Sequence, residues 1–191
     1  MSEQHSGKTE PFTHQVEKLV NDYLYEKDWL VKENANVSKT FTGLVHYITL
    51  EALKKYSLEI VYCDEAKWHK SGDIHIHDSS YAAFIGYCAG WSIRTLFKKG
   101  LITPTIVAKP AKHLDSAVDH IANFLCTAAH EWAGAQAFSK VDLYLAPFVK
   151  HDGLSGNLKA IKQSIQRLVY NLNFPSRVGA QCLSEDTKIL T

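Results

Sequence analysis

The chain has 191 residues, of which 46% are hydrophobic and 21% are charged, and this mixture is typical of a folded globular protein. Its 21 basic and 20 acidic residues leave a net charge of +1, which argues against direct binding of nucleic acid or of an anionic membrane. A run of about 18 apolar residues, which a transmembrane helix needs, does not occur. The polar N-terminus also differs from a signal peptide, so we expect a cytoplasmic location.

Apolar residues at helical spacing predict most of the secondary structure. After a flexible tail over residues 1–14, we expect helices over about 16–24, 43–56, 114–132 and 158–169. A short helix over 64–70 should end at Gly72, and another over 82–99 should end at Gly100. Residues 139–149 are apolar and allow either a helix or a strand. The chain is thus expected to be mainly helical with few strands.

The densest group of polar side chains lies in the segment Gly72-Asp73-Ile74-His75-Ile76-His77-Asp78. Polar and apolar residues alternate here, which predicts a short extended segment with His75 and His77 on one side. Such a row can bind a metal ion, hold the hydroxyl groups of a substrate or orient a thiol. It can equally be a pair of hydrogen-bonded structural histidines.

A cysteine follows within a run of small residues, Gly86-Tyr87-Cys88-Ala89-Gly90-Trp91. Small neighbours allow backbone or ligand to approach the sulfur of Cys88 closely. We expect packed apolar neighbours to keep this thiol dry, which suits radical chemistry better than thiolate chemistry.

The last predicted helix runs into Asn171-Leu172-Asn173-Phe174-Pro175-Ser176-Arg177, where Pro175 ends it. The guanidinium of Arg177 could bind a phosphate group, and the hydroxyl of Ser176 could donate beside it. The alternative is a plain helix-terminating turn with a solvated arginine.

Taken in order, these segments resemble the anaerobic (class III) ribonucleoside-triphosphate reductases, which are glycyl radical enzymes. The resemblance covers about residues 15–181 and is carried by several motifs in sequence: 33–38, 72–78, 87–92, 142–148 and 173–177. It implies an α/β fold, the ten-stranded barrel of the glycyl radical enzymes, of which this chain is the mainly helical first part.

The resemblance also implies roles for individual residues. Cys88 matches the barrel cysteine that donates hydrogen while the ribose 2′-hydroxyl leaves, opposite a radical-bearing cysteine further along. His75 and His77 would line the substrate pocket. Three residues of an N-x-P-S-R motif would bind the phosphate end of the substrate: Asn173, Ser176 and Arg177.

The same resemblance implies cofactors and partners. The full enzyme would use a glycyl radical, installed by an iron–sulfur and S-adenosylmethionine activase, and a structural zinc held by cysteines further along. Its ligands would be a ribonucleoside triphosphate substrate and nucleotide effectors. The stretch from Glu131 to Asp142 resembles the region near the dimer interface and the effector site, so a homodimer is expected.

The final residues, 182–191, depart from the reductase pattern and resemble the opening block of an intein. By that interpretation Cys182 is a splicing nucleophile that attacks the carbonyl of Gln181. Residues 15–181 are then the N-extein, interrupted by a truncated splicing domain, and the fragment alone is expected to be inactive. The alternative is a disordered tail with a chance cysteine.

Two further interpretations of the whole chain stay open. Asp73, His75 and His77 resemble the first metal motif of amidohydrolase barrels, which would make the protein a metal-dependent hydrolase. A non-catalytic protein is the third possibility, either a helical interaction domain or a remnant of a reductase gene.

Overall fold

The computed structural model describes residues 11–26, 39–104 and 106–173, and these contain seven α-helices and four short strands. The helices are α1 (Phe12–Tyr25), α2 (Phe41–Tyr56), α3 (Ala66–Ser71), α4 (Ile93–Lys99), α5 (Leu114–Glu131), α6 (Val141–His151) and α7 (Leu158–Asn173). A π-helical turn, Ser57–Val61, continues α2. The strands are β1 (Ala89–Trp91), β2 (Leu101–Ile102), β3 (Val107–Ala108) and β4 (Gln136–Phe138). Within these ranges, no helix combines the length and apolar character needed to cross a membrane.

The helices predicted from apolar spacing are confirmed as α1, α2, α5 and α7. Helix α1 begins at Phe12, so the last residues of the expected tail, 12–14, form its first turn. The ambiguous segment 139–149 is largely helical, as α6. Gly72 and Gly100 end α3 and α4 as predicted, with φ angles of 85° and 88° that glycine adopts more readily than other residues.

Two local predictions are wrong. Residues 82–99 are not one helix, because turns lead into β1 and only Ile93–Lys99 is helical. Gly86 and Gly90 disfavour a helix there, and the backbone instead bonds to residues 133–138. The alternating residues from Asp73 to His77 allowed a strand or an extended segment, and the structure has bends at Asp73 and Ile74 and a turn at His77 in place of a strand.

The four strands form two separate pairs. Strand β1 pairs parallel with β4, with Ala89 opposite Gln136 and Trp91 opposite Phe138, and β2 pairs antiparallel with β3. The mainly helical character is therefore confirmed. The ten-stranded barrel stays a prediction, because the described residues contain only these two pairs of strands.

Helix α5 is the centre of the hydrophobic core. Its buried residues recur at intervals of three and four, as a helix packed along one face requires. They are Leu114, Ala117, Val118, Ile121, Ala122, Leu125 and Ala129. The other helices and strands that contribute to this core do so through Ile93, Leu96, Leu101, Phe138, Leu145, Leu168 and Leu172. Phe138 of β4 belongs to this core, and Trp91 of β1 packs against it.

His120 on α5 is expected to make stability depend on pH. Its Nδ1 atom is buried without a hydrogen-bond partner among the described residues, and burial lowers its pKa from 6.5. His120 therefore takes up a proton more readily in the unfolded chain than in the folded chain. The contribution of neutral His120 to stability is complete above pH 6.5 and is lost as the pH falls toward the lower pKa of the folded chain. Urea unfolding at pH 7.5 and pH 5.5 measures how much the free energy of unfolding falls between the two pH values, and this fall should be smaller for His120→Leu than for the parent chain. The exposed His130 at the end of α5 provides the control His130→Leu, and an equal loss in all three proteins contradicts the prediction.

Candidate active site

The candidate site is built where β1 and β4 begin. The amide of Gly134 donates to the carbonyl of Tyr87 at 2.5 Å, and the amide of Ala89 donates to the carbonyl of Ala135 at 3.1 Å. These bonds extend the parallel pairing back along both segments. Cys88 is therefore held from both sides by backbone bonds to a segment more than 40 residues away.

Gly134 is required by the close approach of Cys88. A Cβ atom at position 134 would lie 2.7 Å from the Sγ atom of Cys88 and 2.8 Å from the carbonyl oxygen of Tyr87. Such distances are shorter than van der Waals contact, so any side chain here would displace the thiol or separate the two segments. The expectation of small residues around the sulfur is confirmed, although the critical one is distant in sequence.

The expectation of a dry thiol is wrong for this chain, because Cys88 is exposed and its thiol is free. The neighbouring residues Tyr87 and Gly90 are exposed as well.

Gly134→Ala is expected to lower stability by about 1–3 kcal/mol, because the added methyl group overpacks the contact with Cys88 and Tyr87. Urea unfolding measures the loss, and the rate at which a disulfide reagent modifies Cys88 should change with the position of its thiol. Gly90→Ala is a matched control, since a Cβ atom there meets nothing within 4 Å. If both variants unfold at the same urea concentration, the close approach does not constrain the site.

The buried side chain of Gln136 connects the two strands by a hydrogen bond. Its side chain is only 1% exposed, and its Oε1 atom accepts from Trp91 Nε1 at 2.8 Å. Its Nε2 atom donates to the carbonyls of Gly134 at 3.1 Å and Ala135 at 3.0 Å. The amide thus links the first residue of β4 to the last residue of β1 and to the backbone beside Cys88. Sequence reasoning missed this role, since the residue's burial depends on the packing of α5.

A row of aromatic rings leads to the cysteine. His75 Nε2 lies 3.3 Å from His77 Nδ1, so the predicted proximity of these two side chains is confirmed. The ring of His77 meets the ring of Tyr87 edge-on, with centroids 4.6 Å apart. The structure therefore brings the histidine pair to the residue that immediately precedes Cys88.

His69 extends this row at its other end, and sequence reasoning missed it. Its ring lies 5.7 Å from that of His75, and its Nδ1 atom accepts from the amide of Ile76 at 3.2 Å. This bond holds the turn between the two predicted histidines. Three histidines within nine residues were the available sequence signal.

The two aspartates of the segment have separate roles. Asp73 accepts a hydrogen bond from the hydroxyl of Ser71 at 2.6 Å. Asp78 adopts a left-handed φ of 45°, and its carboxylate lies 3.6 Å from His77 Nε2. His77 thus faces His75 with one nitrogen and Asp78 with the other.

This arrangement does not favour the metal-dependent hydrolase. In the described part of the chain, Asp73, His75 and His77 do not form a group whose ligand atoms converge within 4.8 Å, whereas a different set of residues does.

The other predicted site residues lie near or beyond the end of the described chain. Asn173 is the last residue of α7, and its amide donates to the carbonyl of Val169 at 2.8 Å within the same helix. Ser176, Arg177 and Cys182 lie outside the described residues, so their roles stay predictions.

The chain is similar in sequence to known enzymes. Residues 33–184 match the family described as anaerobic ribonucleoside-triphosphate reductase. The anaerobic ribonucleoside-triphosphate reductase of Haemophilus influenzae is 26% identical over 149 residues, which are 75% of this chain and 20% of that protein. The chain thus spans a fifth of the length of this relative.

Crystal structures show the same fold. The anaerobic ribonucleotide reductase from Thermotoga maritima in complex with dATP and CTP matches 95% of this chain and 35% of its own, with a TM-score of 0.62 and 23% identity. The same enzyme with glycerol in the active site matches 87% of this chain and 30% of its own, with a TM-score of 0.65 and 24% identity. Since the family match includes both the histidine row and Cys88, the chain belongs to the anaerobic ribonucleoside-triphosphate reductase family.

Proposed function

We propose that the complete protein containing this chain reduces ribonucleoside triphosphates to deoxyribonucleoside triphosphates in the cytoplasm. The single observation that carries the proposal is the position of Cys88, an exposed residue whose Sγ atom lies against Gly134 and which directly follows Tyr87, the residue that His77 contacts. The Thermotoga maritima relative, which shares this fold, binds the nucleotides dATP and CTP.

Cys88 is proposed to donate a hydrogen atom to the ribose as the 2′-hydroxyl leaves. The backbone bonds at Tyr87 and Ala89 hold the cysteine on both sides, and such positioning is what an oriented transfer requires. The absence of a side chain at position 134 leaves room for the sulfur.

His75 and His77 are proposed to contact the sugar. A neutral imidazole carries one donor and one acceptor nitrogen, so the pair can bind ribose hydroxyl groups and assist the departure of one. The Asn173, Ser176 and Arg177 motif is proposed to bind the phosphate end of the substrate.

The remaining requirements belong to the complete protein. A glycyl radical, installed by an iron–sulfur and S-adenosylmethionine activase, would supply the unpaired electron. Residues of this chain would bind and orient the substrate and donate hydrogen. A structural zinc, nucleotide effectors and a homodimer complete the proposal, and the 191-residue chain by itself is expected to be inactive.

The test is an anaerobic assay of the complete protein with its activase, a reductant and a labelled ribonucleoside triphosphate. Formation of the deoxyribonucleotide supports the proposal. An activated protein that carries the radical but forms no deoxyribonucleotide contradicts it, and metal-dependent hydrolysis of an amide would instead favour the hydrolase.

Cys182 is proposed to act in protein splicing and not in reduction. The proposal rests on the likeness of residues 182–191 to an intein opening. A precursor that continues through the intein should release its N-terminal part at Gln181 when treated with hydroxylamine, because a thioester forms there. Cys182→Ala should prevent this cleavage, and equal cleavage of both precursors contradicts the proposal.

A further inference from the structure

Two histidines and an aspartate meet where α5 begins and α6 ends. His113 immediately precedes α5, His151 is the last residue of α6, and Asp152 follows it. One potential ligand atom of each residue lies within 4.8 Å of those of the other two. Among the described residues, these three side chains form the group whose potential ligand atoms are close enough together to hold one metal ion.

Helix capping explains part of this arrangement. Asp152 Oδ2 accepts from the amide of Leu114 at 2.7 Å, and its Oδ1 lies 2.7 Å from His113 Nδ1. Asp152 thus supplies the side-chain cap that His113, at the N-cap position, does not. His151 takes no part in this cap, yet its ring centroid lies 5.6 Å from that of His113. Helix capping therefore does not explain why the imidazole of His151 lies in this group.

We propose that His113, His151 and Asp152 bind a divalent transition-metal ion of the zinc type. Two imidazole nitrogens and one carboxylate oxygen are ligands that zinc prefers, with water in the fourth position. The amide of Leu114 donates to Asp152 Oδ2 and so orients the carboxylate, whose Oδ1 atom would bind the ion, as outer hydrogen bonds do in metal sites.

The His113 ring must move away from Asp152 to accept the ion. Ligand atoms about 2.0–2.2 Å from a tetrahedral zinc lie about 3.4 Å from each other, whereas His113 Nδ1 and Asp152 Oδ1 are 2.7 Å apart. The His113 side chain is 62% exposed, so its ring is free to move outward. The ion then replaces the hydrogen bond between the two residues.

The site is remote from the reductase chemistry. Helix α5 has 18 residues, which corresponds to a length of about 27 Å. The metal group lies at its beginning, and the segment that contacts Cys88 follows its end. The ion is therefore proposed to join α5 to α6 and to stabilise the fold, independently of catalysis and of the zinc expected on distant cysteines.

The test is a zinc titration of the chelator-treated 191-residue chain against a chromophoric competitor, together with melting temperatures with and without zinc. One tightly bound zinc per chain and a higher melting temperature are expected. His151→Ala should weaken binding by at least about tenfold, because the loss of a direct ligand should cost at least as much as the loss of an outer hydrogen-bond partner, and it should abolish the thermal shift. Because His151 is exposed and outside the cap, circular dichroism should show an unchanged fold.

Two more variants decide where the ion binds. Asp152→Asn keeps an oxygen for the amide of Leu114 but removes the negative charge, so it should also weaken binding. His130→Ala, at the other end of α5, should leave the affinity unchanged. Zinc binding that survives His151→Ala, or that is lost only with His75→Ala, overturns the proposal, as does the absence of binding to the parent chain.

Discussion

If the complete protein has the proposed reductase activity, Cys88→Ser is expected to abolish deoxyribonucleotide formation, with a loss of at least about 10³-fold in kcat. Serine has nearly the same shape, but its O–H bond is much stronger than a thiol S–H bond and does not release a hydrogen atom to a carbon radical. The variant should fold normally, because Cys88 is exposed and the backbone bonds of its neighbours do not involve its side chain.

Anaerobic turnover of a labelled ribonucleotide measures this loss, and equilibrium binding of the same nucleotide shows whether affinity is preserved. Cys63 is also exposed and free and offers the matched control Cys63→Ser, which should retain turnover. A Cys88→Ser enzyme with near-normal kcat rules out hydrogen donation by this residue. A loss confined to nucleotide affinity would assign Cys88 to binding.

Gln136→Leu is expected to destabilise the chain by about 2–4 kcal/mol. Leucine fills a similar volume, but it leaves Trp91 Nε1 without its acceptor and the carbonyl of Gly134 without its donor. The carbonyl of Ala135 loses one of its two donors and keeps the amide of Ala89. Each polar group left unpaired in a buried place costs about 1–3 kcal/mol. Because the bond to Trp91 connects β1 to β4 and the bonds to Gly134 and Ala135 hold the backbone beside Cys88, the loss should fall on the segments around Cys88.

Urea unfolding measures the change in stability, and hydrogen exchange of the amides of Ala89 and Gly134 shows where the structure opens. Ala137 lies on the same strand but is exposed, so Ala137→Ser should change stability by less than about 0.5 kcal/mol. A Gln136→Leu chain as stable as the parent would show that the amide does not hold the strands together. Faster exchange confined to other helices would contradict the proposed location.

The sequence by itself predicted the features whose cause is local. Apolar residues repeating every three or four positions along α5 and α7 produce a helix with one buried face, so their positions could be read directly. The family resemblance could be read in the same way, because it depends on short motifs such as 72–78 and 87–92 in a set order. The proximity of His75 and His77 was predicted as well, but from an alternating strand-like pattern that the structure replaces with bends and a turn.

Only the tertiary structure decided the features that join distant segments. Residues 82–91 carry enough apolar side chains for a helix, but their backbone bonds to the segment after α5 instead, and local propensity is weaker than such pairing. Gly134 contacts Cys88, and Asp152 caps α5 across an interval of 38 residues. No periodicity links positions so far apart, because their proximity results from how α5 packs against its neighbours.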